Sequence, residues 1–196
     1  AIAFLEGKFQ KKPQLIAPNV KVLTDGFNYG QNLALNIHRM NVEKSNELPK
    51  GTYTSITGNK ATAWGLIAAA EKCGKRLFLG SYPITPATDI MHELAARKDM
   101  GVMVVQAEDE IAGVCTAIGA AFAGDLAATS TSGPGLSLKS EAIGLAVMAE
   151  LPLVVIDVQR GGPSTGLPTK TEQTDLMQAL YGRNGECPVI VVAASS

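Results

Sequence analysis

Cysteine is scarce in this chain. Only Cys73, Cys115 and Cys187 occur, far apart and without a C-x-x-C pair. That spacing argues against an iron–sulfur or structural zinc site of the chain's own, and no metal-ligating residues are expected in it. An odd count of three argues against a disulfide framework and fits a reducing compartment, so a cytoplasmic location is expected. Neither sign of charge dominates, with 17 basic residues against 18 acidic ones. Such a balance leaves no electrostatic footprint for nucleic acid or an anionic membrane, and neither is expected as a partner. Long apolar runs are also missing. None approaches the ~20 residues of a membrane span, because Gly, Glu or Lys interrupts each one. Signal-peptide features, internal repeats and low-complexity tracts are absent as well.

What is present suits a packed core. The hydrophobic fraction is 46% and the charged fraction 18%, enough for one globular domain with an appendage. The chain runs from Ala1 to an Ala-Ala-Ser-Ser end and is expected to be a fragment of a longer polypeptide. Residues 1–50 differ from the rest. The stretch 1–9 can end a helix, 13–29 is polar and turn-rich, and 41–51 mixes charges, Asn and Pro like a linker.

From Gly58 onward, helix and strand patterns alternate. Helices are predicted over 61–72, 88–97, 108–124, 136–149 and 172–180, and strands over 76–80, 102–106, 126–131, 152–158 and 189–192. Apolar strands without polar alternation, each followed by a helix, indicate an α/β fold: a doubly wound parallel sheet covered on both faces. The 108–124 helix is rich in small residues, among them Gly113, Ala117 and Ala120. It can lie very close to the sheet or to a second chain.

Ligands of open parallel sheets bind beyond the carboxyl ends of the strands. Four unusual segments fall there: Tyr82-Pro83-Ile84-Thr85-Pro86, Glu108-Asp109-Glu110, Ser130-Thr131-Ser132-Gly133-Pro134-Gly135, and Gln159-Arg160 with the Gly-rich run after it. Loops rich in Gly, Pro and Ser also join βα units without forming any site. The stretch from Gly133 to Ser140 nearly matches G-x-x-x-x-G-K-[ST], but Leu138 stands where a phosphate loop needs Gly, which disfavours a nucleotide-binding reading. Acids at a helix start commonly complement its dipole, and that accounts for Glu108 and Asp109. Glu110, a third acid before an apolar helix, asks for more. Arg160, after a mostly apolar strand, can present a planar fork to a ligand carboxylate or pair with a neighbouring acid.

Taken together, these four segments, with Glu110 continuing into Ile111-Ala112 and Arg160 into Gly161-Gly162-Pro163-Ser164-Thr165-Gly166-Leu167-Pro168-Thr169, resemble the alpha subunit of 2-oxoacid:ferredoxin oxidoreductases. The likeness is nearest the 2-oxoglutarate type and covers about 56–196. Each segment alone is modest; four in order at family spacing are specific. The resemblance implies a thiamine diphosphate-binding fold of the pyrimidine-domain type over 51–196, preceded over 1–50 by the tail of a gamma-type domain and a linker.

The family decarboxylates a 2-oxoacid on thiamine diphosphate, passes electrons through iron–sulfur clusters to ferredoxin, and transfers the acyl group to coenzyme A. By resemblance, Glu110 is the carboxyl at N1′ of the aminopyrimidine, favouring the imino tautomer whose 4′-nitrogen takes the C2 proton of the thiazolium. Thr85 and Arg160 correspond to positions holding the substrate carboxylate, and Pro83, Ser132 and Gly133 to cofactor-binding positions beside Glu110. The family holds the diphosphate and Mg²⁺ on a GDG-plus-Asn motif in another domain, and no GDG occurs here. The resemblance therefore implies a beta-type partner subunit carrying the diphosphate site, Mg²⁺ and clusters in partner domains only, ferredoxin reached through the complex, and a homo-oligomer. The alternative is a non-catalytic paralogue or scaffold domain that keeps the fold, against which the joint presence of Thr85, Glu110 and Arg160 argues.

Overall fold

Residues 1–33, 49–163 and 169–193 are described by the computed structural model. Contacts divide the chain into two units, Ala1–Thr52 and Tyr53–Ser196.

In the first unit, helix α1 (Ile2–Lys8) is followed by a 3-10 turn (Pro13–Leu15) and helix α2 (Ile16–Asn32). The 13–29 stretch expected to be turn-rich is therefore mostly helical. Pro18 sits in the first turn of α2, where the missing N–H has no intrahelical acceptor to lose. Gly26 and Gly30 each cost about 1 kcal/mol relative to Ala, too little to end the helix. Most of the linker-like 41–51 lies outside the described residues.

The second unit opens with α3 (Gly58–Cys73), which starts three residues before the predicted point because Thr57 caps it, accepting from the Lys60 amide. Gly74 ends α3 in the left-handed conformation at φ 61°. Strand β1 (Leu77–Ser81), helix α4 (Thr88–Ala95), β2 (Met103–Gln106), α5 (Glu110–Phe122), β3 (Leu126–Thr131), α6 (Gly133–Met148), β4 (Leu153–Asp157) and α7 (Leu176–Tyr181) follow. All strand pairs are parallel, in the order β2-β1-β3-β4, as the apolar strands predict.

Alternation along β1 sorts the two layers. Leu77 and Leu79 pack with Ala63, Leu66 and Ile67 of α3 and Ile90, Met91 and Leu94 of α4. Phe78 points the other way, against Ala117, Ala120 and Ala121 of α5. On that face helix and strand nearly touch. A Cβ on Gly80 would stand 2.5 Å from the Gly113 carbonyl oxygen, and one on Gly113 would stand 3.3 Å from the Ser81 backbone. The small residues of α5 thus serve close approach to the sheet.

Two boundaries differ from the sequence reading with effects on the site. Helix α5 begins at Glu110, because Asp109 is its cap and accepts from the Ala112 amide at 2.8 Å. Helix α6 begins at Gly133 rather than Leu136: the Ser132 carbonyl accepts from Gly135 and Leu136, and Pro134 fits the first turn. Residues 189–192 form no strand, and Ile190 and Val192 are exposed; a single apolar segment without a ladder partner has nothing to fix it as one. Among the described residues no helix is long and apolar enough to cross a membrane.

Candidate functional site

With every strand parallel, the segments following β1 to β4 all leave the same edge of the sheet. The chain reverses direction between β1 and β3, since β2 lies on one side of β1 and β3 and β4 lie on the other. Crevices form at such switch points. The β1–β3 ladder runs from Leu77 opposite Leu126 to Leu79 opposite Ala128. Past it, hydroxyls bridge the two strands: Ser81 Oγ lies 3.0 Å from the Ser130 carbonyl oxygen and 2.7 Å from Ser130 Oγ, and Tyr82 Oη lies 3.0 Å from Thr131 Oγ1.

Glu110 occupies the first position of α5 and is half-buried. Because Asp109 takes the capping role, the Glu110 carboxyl is left to face the crevice. Its Cγ would be 3.1 Å from a Cβ on Gly135, and that Cβ would also collide with Tyr82 Oη and Thr131 Oγ1. Glycine at 135 is what lets α6 approach this cluster. Burial pushes the Tyr82 phenol well above its ordinary range, and the adjacent Glu110 carboxylate pushes in the same direction while Thr131 and Arg160 oppose.

Arg160, 8% exposed, donates from Nη1 to the Thr85 carbonyl oxygen at 2.8 Å. The loop after β4 is thereby tied to the loop after β1. Thr85 and Pro83 are exposed at the rim. Ser132 is the residue before α6; its side chain is fully buried and its Oγ has no partner among the described residues. Gly133 lies under Asp175, whose Oδ2 would be 2.8 Å from a Cβ there. Of the sequence-derived candidates, Thr85 and Arg160 meet directly, Glu110 gathers with Tyr82 around Gly135, and Ser132 and Gly133 are buried at the start of α6.

Three polar side chains here escaped the sequence reading. Lys139 is fully buried in α6, donating from Nζ to Thr129 Oγ1 at 2.8 Å, with Nζ 5.0 Å from the Tyr82 ring centre. Burial pulls its amine down to about 8. Asp157 ends β4 within hydrogen-bonding reach of Asp175, and burial with that neighbour pushes Asp157 up to about 7. Asp157 Oδ1 and Asp175 Oδ2 are buried without a donor, a deficit that one shared proton would satisfy. Asp175 Oδ1 accepts from Gln159 Nε2 at 2.9 Å, which fixes the residue before Arg160. A charged residue inside an otherwise apolar strand or helix, as at 157 and 139, was the available signal. A cavity of about 570 Å³ on the outer side of α6, lined by Leu138, Leu145, Met148 and Arg183, contains none of these residues.

An open parallel sheet with an acid, an arginine and bridging hydroxyls gathered at its carboxyl edge defines a ligand-binding α/β domain. Residues 69–196 match the family described as pyruvate flavodoxin/ferredoxin oxidoreductase, thiamine diphosphate-binding, and the chain belongs to that family. It is 57% identical over 194 residues to the 2-oxoglutarate oxidoreductase subunit KorA of Mycobacterium tuberculosis, covering 99% of this chain and 30% of that protein. It is 49% identical over 142 residues to the 2-oxoglutarate synthase subunit KorA of Methanocaldococcus jannaschii, covering 72% of this chain and 37% of that one. Among solved structures, the 2-oxoglutarate:ferredoxin oxidoreductase from Magnetococcus marinus with 2-oxoglutarate, coenzyme A and succinyl-CoA bound matches with a TM-score of 0.69 and 38% identity, over 95% of this chain and 32% of that one. The chain spans about a third of the length of these relatives.

Proposed function

We propose that this chain supplies the pyrimidine-binding half of a thiamine diphosphate site in an enzyme that oxidatively decarboxylates a 2-oxoacid, 2-oxoglutarate by preference, to the acyl-CoA with ferredoxin as acceptor. The observation that carries the reading is the half-buried Glu110 at the start of α5, at the same carboxyl edge of the sheet as the Arg160–Thr85 contact. The names of the relatives favour 2-oxoglutarate over pyruvate.

The residues fit an aminopyrimidine edge. A carboxyl is available, Gly135 keeps the wall behind it thin, and Pro83 adds an apolar rim. When bound, thiamine diphosphate supplies the carbanion chemistry of decarboxylation. Glu110 holds or gives a proton at N1′ of the pyrimidine. Arg160 and Thr85 orient the substrate carboxylate; one guanidinium nitrogen is engaged by the Thr85 carbonyl, and the fork has further donors to offer. Ser132 and Gly133 shape the floor of the cofactor site. A beta-type subunit holds the diphosphate and Mg²⁺, iron–sulfur clusters lie in partner domains, and ferredoxin docks on the complex. Residues 1–50 are read as the tail of a gamma-type domain and a linker. The free cysteines suit the cytoplasm.

Titration of thiamine diphosphate into the chain, alone and with its beta-type partner, tests this. Saturable binding is expected only with the partner. Absence of binding to the pair would favour a non-catalytic scaffold domain instead.

A further inference from the structure

Lys139 completes the near-match to a phosphate loop in the sequence, but α6 already begins at Gly133, so position 139 falls well inside the helix. It lies one turn beyond Gly135, on the same side of the helix. That side touches Tyr82, Thr131 and Glu110. The ammonium is therefore turned into the protein, beneath the crevice, and its residue is 0% exposed.

A lysine is almost never fully buried without a countercharge. Its hydrogen-bond partner, Thr129 of β3, is neutral, and from the end of β1 it meets the Tyr82 ring. The groups on α5 that act on it are Glu110 first, then the Cys115 thiol and Asp109. Asp109 is engaged as the helix cap, and Arg160 is a second cation acting on Tyr82. Glu110 is the acid left to balance the charge.

We infer that Lys139 is the buried countercharge of Glu110 and a positioning residue for it: no direct ion pair joins the two among the described residues, and the ammonium over the Tyr82 ring biases the Glu110 carboxylate toward the wall beside Gly135 through space. The catalytic part of this inference rests on the role proposed above for Glu110; the charge pairing does not. Burial favours the neutral amine and Glu110 favours the charged one. The countercharge is thus present at neutral pH and is lost as pH rises through about 8.

The pairing is tested in the cofactor-free full chain by ¹³C NMR of labelled lysine side chains, the Lys139 signal being assigned by its loss in Lys139→Met. Its midpoint is expected near pH 8, falling by on the order of one unit in Glu110→Gln. An unchanged midpoint in Glu110→Gln would overturn the pairing, whatever Glu110 does in catalysis. The positioning role is tested in the assembled, cofactor-loaded enzyme by hydrogen–deuterium exchange at thiazolium C2 across pH. Lys139→Met is expected to retain cofactor affinity, slow exchange several-fold at pH 7 and abolish the inflection near pH 8. A profile superimposable on wild type would remove the positioning role. If Lys139→Met does not fold, Thr129→Val serves: it should lower the Lys139 midpoint and the exchange inflection together, and movement of one without the other counts against the link. Normal exchange in Glu110→Gln alongside a shifted Lys139 midpoint would sink the catalytic reading of Glu110 and leave the charge pair standing.

Discussion

Arg160, in the loop after β4, reaches the loop after β1 and donates to the main-chain oxygen of Thr85 at 2.8 Å. The bond crosses the mouth of the crevice at the carboxyl edge of the sheet. An arginine so placed both fastens a loop and offers its remaining donors to whatever enters.

On the function proposed above, Arg160→Lys and Glu110→Gln should fail in different ways in the assembled enzyme. Lysine keeps the charge but loses the two-pronged geometry, so the Michaelis constant for the 2-oxoacid rises while C2 exchange without substrate stays near normal. Glu110→Gln keeps the shape but removes the ionisable proton, slowing that exchange by roughly 10²–10⁴-fold with a far smaller effect on cofactor affinity. The measurement is C2 exchange in both variants without substrate. The opposite pattern would reverse the two roles.

Gly135→Ala should cost stability and displace Glu110. Its Cβ would meet the hydroxyls of Tyr82 and Thr131, which are themselves bonded together, and Glu110 Cγ at 3.1 Å. Overpacking of this kind costs about 1–3 kcal/mol. Urea denaturation should show a lower midpoint with an unchanged slope.

The Asp157–Asp175 pair predicts a pH dependence of stability. In the folded chain Asp157 is raised from the ordinary 3.8 to about 7, so the native state holds a proton that the unfolded chain has released. The corresponding stability is complete below about pH 4 and lost as pH rises toward 7. Asp157→Asn removes the ionisation and can still donate to Asp175. Thermal melts at pH 5 and pH 8 should differ less in this variant than in wild type, with the gain at pH 8. An equal pH dependence in both would mean that the pair does not share a proton.

Helix α5 leaves Ile111 exposed at its crevice end and Phe122, at 82%, exposed at its far end. Self-association through this face is expected. Sedimentation should detect dimers at high concentration, and Phe122→Glu should shift them toward monomer. A strict monomer in the wild-type chain would contradict this.

By itself the sequence determined the parallel α/β plan, because apolar strands alternating with helices leave few other ways to bury both faces of a sheet. It also placed Thr85, Glu110 and Arg160 at strand ends, since the residues there broke the surrounding apolar pattern. It did not determine α2, where Pro and Gly resembled a turn but Pro18 fell in the one part of a helix that tolerates it. The strand that the sequence led one to expect over 189–192 does not form, because a strand depends on an edge to pair with. Only the tertiary structure decided that Asp109 caps α5 and leaves Glu110 to the crevice. It alone turned Lys139 inward onto Thr129 and set Asp157 against Asp175. These pairings join residues 10 and 18 positions apart in the chain, and their partners are chosen by how helices lie on the sheet, a distance over which local pattern carries little information.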